Sequence, residues 1–198
     1  NPPVDIAWSL DLDNSGELDI IDIAQYFQGL STFPSAGIDA NGCIYVSYSA
    51  VVENMDNGTQ NYRHIYVIES CDNGCSWSEP LDVTPGSGFE ENVYASMADV
   101  VDSNIHIVWQ QDFEPGIAVN GDEDPWVTNK IMHSAISVTD FSTQGPGYCY
   151  GKIEGDEKFC DSVLLWASCG SAYLWSTGES TQSIYYSGGF SNTTCTRK

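Results

Sequence analysis

The chain has 198 residues, of which 41% are hydrophobic and 12% aromatic, so it can form one domain with a core, with or without a small appendage. Its 28 acidic and 6 basic side chains give a formal charge of -22. A field of that sign repels nucleic acid and anionic lipid surfaces, and no apolar run approaches the roughly 20 residues of a membrane span. The composition therefore argues against nucleic-acid binding and membrane insertion.

Several features predict an all-β protein that works outside the cell. The 11 Tyr and 6 Trp, with many short runs of Val, Ile and Tyr, favour strands over helices. Seven cysteines and two Asn-x-Thr sequons, at Asn57 and Asn192, are typical of exported proteins. We therefore expect a secreted or cell-surface location.

An acidic loop near the N-terminus has the spacing of an EF-hand-like calcium loop. Counted from Asp11, oxygen ligands converge from alternate positions, Gly16 permits the sharp turn, and Glu17 offers its carbonyl. A solvated acidic turn is the alternative. The predicted Ca²⁺ ligands are Asp11, Asp13, Ser15, Glu17, Asp19 and Asp22.

The residues after this loop predict one short helix. Ile20, Ile23, Ala24, Phe27 and Leu30 recur at helical spacing, with Gly29 as a stop signal. The last ligand position is Asp22 instead of Glu, so the stretch resembles the loop of a dockerin module. It also resembles the D-x-D-x-x-G-x-x-D calcium loops of some propeller blades, which are hairpins without a helix.

The middle of the chain carries a turn signature at residues 70–77. Asn73 and Gly74 supply the positive φ that a tight turn needs, Asp72 accepts hydrogen bonds from turn amides, and Trp77 covers an apolar face. The pattern S-x-D-x-G-x-x-W resembles the Asp-box of sialidases and related secreted β-propellers, a structural motif. Its marked positions are Ser70, Asp72, Gly74 and Trp77.

A strand-turn-strand pattern occurs twice, which favours blade-like sheets. Residues 35–49 are followed by 62–69, and 94–110 are followed by 129–135, with a period of roughly 60 residues. Together with the Asp-box this predicts a partial β-propeller-like domain over residues 1–140. Two or three such units do not close a ring, so we expect a segment of a longer protein or strands completed by another chain.

The loop at 111–128 is a predicted second ligand-binding region. It carries five carboxylates on a long connection, the kind of place where binding sites are built, although a solvated loop is the simpler reading. The residues are Asp112, Glu114, Asp122, Glu123 and Asp124.

The C-terminal residues 159–198 resemble a small immunoglobulin-like module of bacterial surface proteins. The shared pattern is a Cys, an apolar strand and Y-x-W-S-x-G-x-x-T-x-x-I, here starting at Tyr173. The resemblance implies a small β-sandwich that acts as a spacer or adhesive unit, with a disulfide between Cys160 and Cys195. Residues 141–158 are a predicted linker because they have little periodicity and contain Gly145-Pro146-Gly147.

Cysteine spacing suggests one further disulfide, and no catalytic set stands out. Cys71 and Cys75 flank the turn closely enough for a bond that pins the hairpin. A sialidase needs three arginines for its substrate carboxylate, and the chain has only Arg63 and Arg197. His64, His106 and His133 lie in strand-like runs without a nucleophile elbow.

These observations predict a non-catalytic, calcium-dependent protein for binding, adhesion or scaffolding. We expect a glycan or protein ligand outside the cell and assembly into a homo-oligomer or with other chains. The alternative is a fragment of an extracellular glycoside hydrolase, whose paired carboxylates the abundant acidic residues could supply.

Overall fold

A computed structural model describes residues 5–26, 29–86, 88–118 and 126–141, and short stretches at 153–154, 163–167, 173–175, 178–181, 183–186 and 195–197. Strands dominate these residues, and no helix of seven or more residues occurs among them. The predicted all-β class is confirmed.

The first sheet is built around an antiparallel meander. Strands β1 (Ser31–Asp39), β2 (Ile44–Asp56) and β3 (Asn61–Ser70) pair in sequence, β4 (Leu81–Asp82) pairs with β3, and β6 (Val100–Val101) pairs in parallel with β1. The resulting order is β4-β3-β2-β1-β6. The sheet curls into a half-barrel.

A second antiparallel meander follows. It consists of β5 (Glu91–Met97), β7 (Asn104–Asp112) and β8 (Lys130–Ser137), in the order β5-β7-β8. A single 3-10 turn, Val138–Asp140, comes directly after it.

The two meanders share one pairing register. Thr32 pairs with Ser49 in the first meander, and Val93 pairs with Gln110 in the second. Each residue of the second pair lies 61 positions after the equivalent residue of the first pair (32 to 93, 49 to 110). Each first strand is interrupted at the same place, between Thr32 and Ser35 and between Val93 and Ser96. The predicted parallel between residues 35–49 and 94–110 therefore holds in the strand pairing.

The main core lies between the two meanders. Tyr45, Ile65 and Val67 of the first sheet pack against the second, and each is at most 1% exposed. We call the side of the first meander that carries them its forward face. The opposing side of the second meander, its rear face, contributes Ile105, Ile107, Trp109 and Ile136.

The rear face of the first meander has its own cover. Tyr48, Ala50, Tyr66 and Ile68 form a cluster with Trp77, and Ile6, Ala7 and Leu10 of the N-terminal segment pack against it. Tyr48 Oη also donates to the carbonyl of Trp8, 3.3 Å away. Burial of this face therefore depends on a segment distant in sequence.

The turn at 70–77 forms as its residues predict. Asp72 Oδ1 accepts from the amide of Ser76 at 2.7 Å, and the amide of Gly74 donates to Ser70 Oγ at 2.9 Å. Asn73 has φ 60° and Gly74 φ 79°, the left-handed conformation that such a turn requires. The turn joins β3 to β4 as a hairpin, and Trp77 is 8% exposed.

The disulfide at this turn differs from the predicted one. Cys71 is bonded to Cys43, and Cys75 is disulfide-bonded too but not to Cys71. The pairing of Ile44 with Ser70 places the residues beyond these strand ends side by side, with 4.1 Å between the Cα atoms of Cys43 and Cys71. Strand register, and not proximity in sequence, selects the partner.

The predicted helix after the acidic loop is wrong, because residues 20–26 contain no helix. Ile23 instead forms a parallel bridge with Asn61 at the start of β3. The amide of Ile21 donates to Asn61 Oδ1 at 2.8 Å, and the amide of Asn61 donates to the carbonyl of Asp22 at 2.9 Å. These tertiary hydrogen bonds hold the segment extended against its helical periodicity.

The C-terminal part contributes short antiparallel strands. Strands β9 (Ile153–Glu154), β10 (Val163–Ala167) and β12 (Ser183–Tyr186) form one sheet, and β11 (Tyr173–Trp175) pairs with β13 (Cys195–Arg197). Trp175 and Ile184 are buried. The predicted linker at 141–158, the sandwich at 159–198 and the Cys160–Cys195 bond fall largely outside the described residues and side chains.

Candidate calcium site and the loops around it

Several loops meet at one end of the two sheets, which we call the loop end: residues 11–22, 57–60, 83–86, 88–90 and 113–118. Side-chain contacts connect them. Asn57 Nδ2 donates to Glu114 Oε2 at 3.1 Å, Tyr62 Oη donates to the carbonyl of Phe113 at 3.2 Å, and the rings of Tyr62 and Phe89 are 5.9 Å apart. The 70–77 turn and its disulfide lie at the opposite strand ends.

Three carboxylates converge at the loop end. Asp11 and Asp13 come from the predicted calcium loop, and Glu53 comes from β2. One ligand oxygen from each lies within 4.8 Å of the others. Because carboxylate oxygens are the preferred ligands of Ca²⁺, these three residues fit the ion by donor type.

Glu53 also attaches the acidic loop to the sheet. Its side chain is 1% exposed. Oε2 accepts from the amides of Leu12 and Asp13, at 2.5 and 3.3 Å, and Oε1 accepts from the amide of Asp19 at 2.9 Å. A buried carboxylate that accepts backbone hydrogen bonds on both oxygens fixes the loop in one position.

Glu53 is not among the predicted ligands, because the strand pattern at 35–49 and 62–69 leaves it in the connection between two strands. Strand β2 in fact continues to Asp56, which leaves only 57–60 as the connection. The available signal was a lone carboxylate directly after the apolar residues Val51 and Val52. Such an acid needs buried partners to be tolerated.

The loop itself is folded around Asp11. Its carboxylate accepts from the amides of Ser15 at 3.1 Å and Gly16 at 2.8 Å. The hydrogen bond from the Gly16 amide lowers the pKa of Asp11, although burial acts in the opposite direction. The lowered pKa favours the ionised carboxylate, which is the form that binds a cation. Gly16 has φ 89°, so the predicted need for glycine is confirmed.

The other predicted ligands stand outside this group. Ser15 Oγ donates to the carbonyl of Glu17 at 3.0 Å, Asp19 contributes its amide to Glu53, and Asp22 Oδ1 accepts from the amide of Ile23 at 2.8 Å. The structure therefore brings together two of the predicted side chains and adds Glu53.

A second buried acid, Glu91, organises the start of β5. Its Oε1 accepts from Tyr26 Oη at 2.8 Å and its Oε2 from the amide of Arg63 at 2.7 Å. Burial raises the pKa of Glu91 to about 8, so the carboxyl is mostly protonated at neutral pH. Arg63 directs its guanidinium to the carbonyls of Gly29 and Leu30, at 2.8 and 3.0 Å. With 1% exposure, Glu91 has a structural position and not a substrate-facing one.

The last residue of β7, Asp112, and Glu114 in the loop after it lie at the same end. Burial raises the pKa of Asp112, and its Oδ1 accepts from the amide of Glu114 at 3.2 Å. Phe113 between them is 55% exposed, with Lys130 Nζ 5.1 Å from its ring centroid. Asp122, Glu123 and Asp124 lie outside the described residues.

A histidine-aspartate pair is also present. His64 Nδ1 lies 2.7 Å from Asp82 Oδ2, and His64 is 1% exposed. Its Nε2, which a general base would direct at a nucleophile, is buried and has no hydrogen-bond partner among the residues that the structure describes. This geometry suits a packed histidine.

Cys43, Glu69 and Cys71 form another close group of potential ligands. The two sulfur atoms are bonded to each other, so neither is a thiolate for a metal. Two such clusters of potential ligands occur among the described residues. The cluster of Asp11, Asp13 and Glu53 is therefore the one whose donor atoms suit a cation.

Among the described residues, the chain forms no helix with the length and apolar character to cross a bilayer. Comparison of the sequence with protein-family models and with curated proteins finds no match.

Proposed function

We propose that this protein is a non-catalytic binding or scaffold protein that works outside the cell, and that Ca²⁺ holds its N-terminal loop on the sheet. The observation that carries the proposal is the convergence of Asp11 and Asp13 with the buried Glu53. When bound, the ion would neutralise three carboxylates that otherwise repel one another.

The loop end also supplies the surface for a ligand. Phe89 and Phe113 are more than half exposed and both contact Tyr62, with Glu114 beside them. A sugar ring offers apolar C–H groups that pack on aromatic faces and hydroxyls that donate to carboxylates. Because the chain carries a charge of -22, a neutral glycan is the class of ligand that we expect.

An extracellular location is supported by the cysteine chemistry. The disulfide between Cys43 and Cys71 is stable in an oxidising compartment, and Cys75 is also oxidised. The predicted blade-like domain and immunoglobulin-like module suit an adhesion or spacer role in this setting.

Calorimetric titration with Ca²⁺ tests the metal site. We expect Asp13→Asn and Glu53→Gln to weaken binding by at least tenfold, since each removes a negatively charged ligand. Asp22→Asn is the matched control, because Asp22 lies outside the carboxylate group but would be a ligand in an EF-hand-like loop. No heat of binding in the wild-type protein would refute the calcium proposal, and loss of binding in Asp22→Asn would assign the ion to the EF-hand-like loop.

A glycan array with and without a calcium chelator tests the binding role. We expect signals that fall in Phe113→Ala and Phe89→Ala and persist in Tyr185→Ala, which removes another exposed aromatic ring. A blank array would leave scaffolding as the only role.

A further inference from the structure

The second meander has a forward face that is open to solvent. Ile131 is 78% and Val108 43% exposed, although both are paired with a neighbouring strand of the sheet. Between them, His106 Nδ1 and His133 Nε2 lie 3.2 Å apart with stacked rings. The solvent-exposed part of this face carries no carboxylate among the described residues; Asp112, on the same side at the end of β7, is only 5% exposed. The members of this face are Ser96, His106, Val108, Gln110, Ile131, His133 and Ala135.

The repeat shows how such a face is used. Under the common register, Val108 corresponds to Ser47 on the forward face of the first meander, since these residues pair with Ser96 and Ser35 respectively. Ile131 corresponds to Ile65, because they pair with Gln110 and Ser49. Ser47 and Ile65 are both fully buried, covered by the second meander. The same positions are therefore buried in one repeat and open in the next.

Hydrogen bonds between the first and second meanders involve positions that have polar counterparts on the open face. Ser35 Oγ accepts from the amide of Met97 at 3.0 Å, and Ser49 Oγ donates to the carbonyl of Asn92 at 2.8 Å. The equivalent positions on the open face are Ser96 and Gln110, which have side chains able to make the same kinds of bond.

We infer that the open forward face of the second meander is an interface for one further antiparallel meander of the same repeat, docked through its rear face. The rear face of the second meander, with Ile105, Ile107 and Trp109, shows the chemistry required of this partner: aliphatic and aromatic side chains without charge. The inference does not depend on the calcium site.

A second copy of this chain is a poor partner for the open face. In that copy, the rear face of the first meander is covered by Ile6, Ala7 and Leu10. The rear face of its second meander is buried against its first meander. Among the described residues, neither rear face is therefore available for docking. The charge of -22 on each copy also opposes self-association.

The experiment inserts a duplicate of residues 78–141 after residue 141 of the full chain. The duplicate carries Ile131→Val and His133→Gln, so that its peptides differ in mass from the originals. Hydroxyl-radical footprinting then measures the accessibility of the original Ile131 and His133. We expect oxidation of Ile131 to fall by roughly an order of magnitude, because the side chain should go from 78% exposure to the buried state of Ile65.

Two controls make the result decisive. In the first control, the protein with the inserted duplicate also carries Ile131→Asp in its original second meander. The backbone amides of the duplicate should then show no protection from hydrogen exchange, because a single meander cannot bury its rear face alone. The inference would be overturned if the duplicate folded and the original Ile131 were still oxidised, or if the duplicate stayed unfolded next to an original meander that keeps Ile131.

The second control measures the oligomeric state of the chain without an insertion. A dimer that disappears in Ile131→Asp would also overturn the inference, because it would assign the face to a second copy.

Discussion

Phe33 and Tyr94 stand at the same position in successive meanders, and their ring centroids are 4.7 Å apart. Both have positive φ, 54° and 56°, at the irregularity where the first strand of each meander shifts register. Tyr26 contacts both rings at 6.3 and 5.8 Å. The interruption in each repeat thus provides the contact that joins the two repeats, so its strained backbone is offset by aromatic packing.

A double-mutant cycle with Phe33→Leu and Tyr94→Leu should measure this contact. We expect a coupling energy of about 0.5–1.5 kcal/mol in urea unfolding, because leucine keeps the backbone penalty and the separate loss of each ring's contact with Tyr26 cancels in the cycle. A cycle that pairs Phe33→Leu with Trp126→Leu, at a ring that is 90% exposed, should be additive. Additivity in both cycles would contradict the role given to the pair.

Removal of the Cys43–Cys71 disulfide by a double serine substitution should cost about 3–4 kcal/mol of unfolding free energy, because the bond closes a loop with a sequence separation of 28. The measurement is chemical denaturation of the wild-type and doubly substituted proteins. Peptide mapping without reduction should recover residues 43 and 71 in one linked species. A map that instead links Cys71 to Cys75 would show that the bond has been assigned to the wrong partner.

Glu53→Gln should release the N-terminal loop even without Ca²⁺. The amide group places a donor where the carboxylate accepts from backbone N–H groups, so we expect a loss of about 1–3 kcal/mol in unfolding free energy. Limited proteolysis within residues 11–22 should become faster. Glu17→Gln removes the same charge from an exposed side chain and should retain the wild-type cleavage rate. Equal rates for the two variants would argue against Glu53 as the anchor.

Glu91 should make the wild-type protein less stable as pH rises from about 4.5 to about 8. The unfolded chain releases this proton near 4.5, whereas the folded protein keeps it until about 8, so the folded state binds more protons across that window. Glu91→Gln cannot ionise and should flatten the dependence. The measurement is the difference in urea midpoint between pH 5 and pH 8.

Tyr26→Phe provides a second test of the same group. The Tyr26 hydrogen bond lowers the pKa of Glu91, so its removal should shift the pH transition upward. An unchanged profile in both variants would mean that another group controls the pH response.

The sequence by itself determined the local and periodic features of this protein. The all-β class, the parallel between the two strand-turn-strand units and the turn at Asp72 to Trp77 follow from alternation and turn chemistry. Each depends on residues that are close along the chain, whose conformational preferences act without the rest of the fold.

The tertiary structure decided every feature that joins distant residues. Cys71 has a nearer cysteine in sequence but bonds to Cys43, because the register of β2 and β3 brings those two together. The helical periodicity after the acidic loop is overridden by hydrogen bonds to Asn61. Glu53 joins Asp11 and Asp13 from about 40 residues away, a proximity that backbone pairing creates and that local preference does not encode.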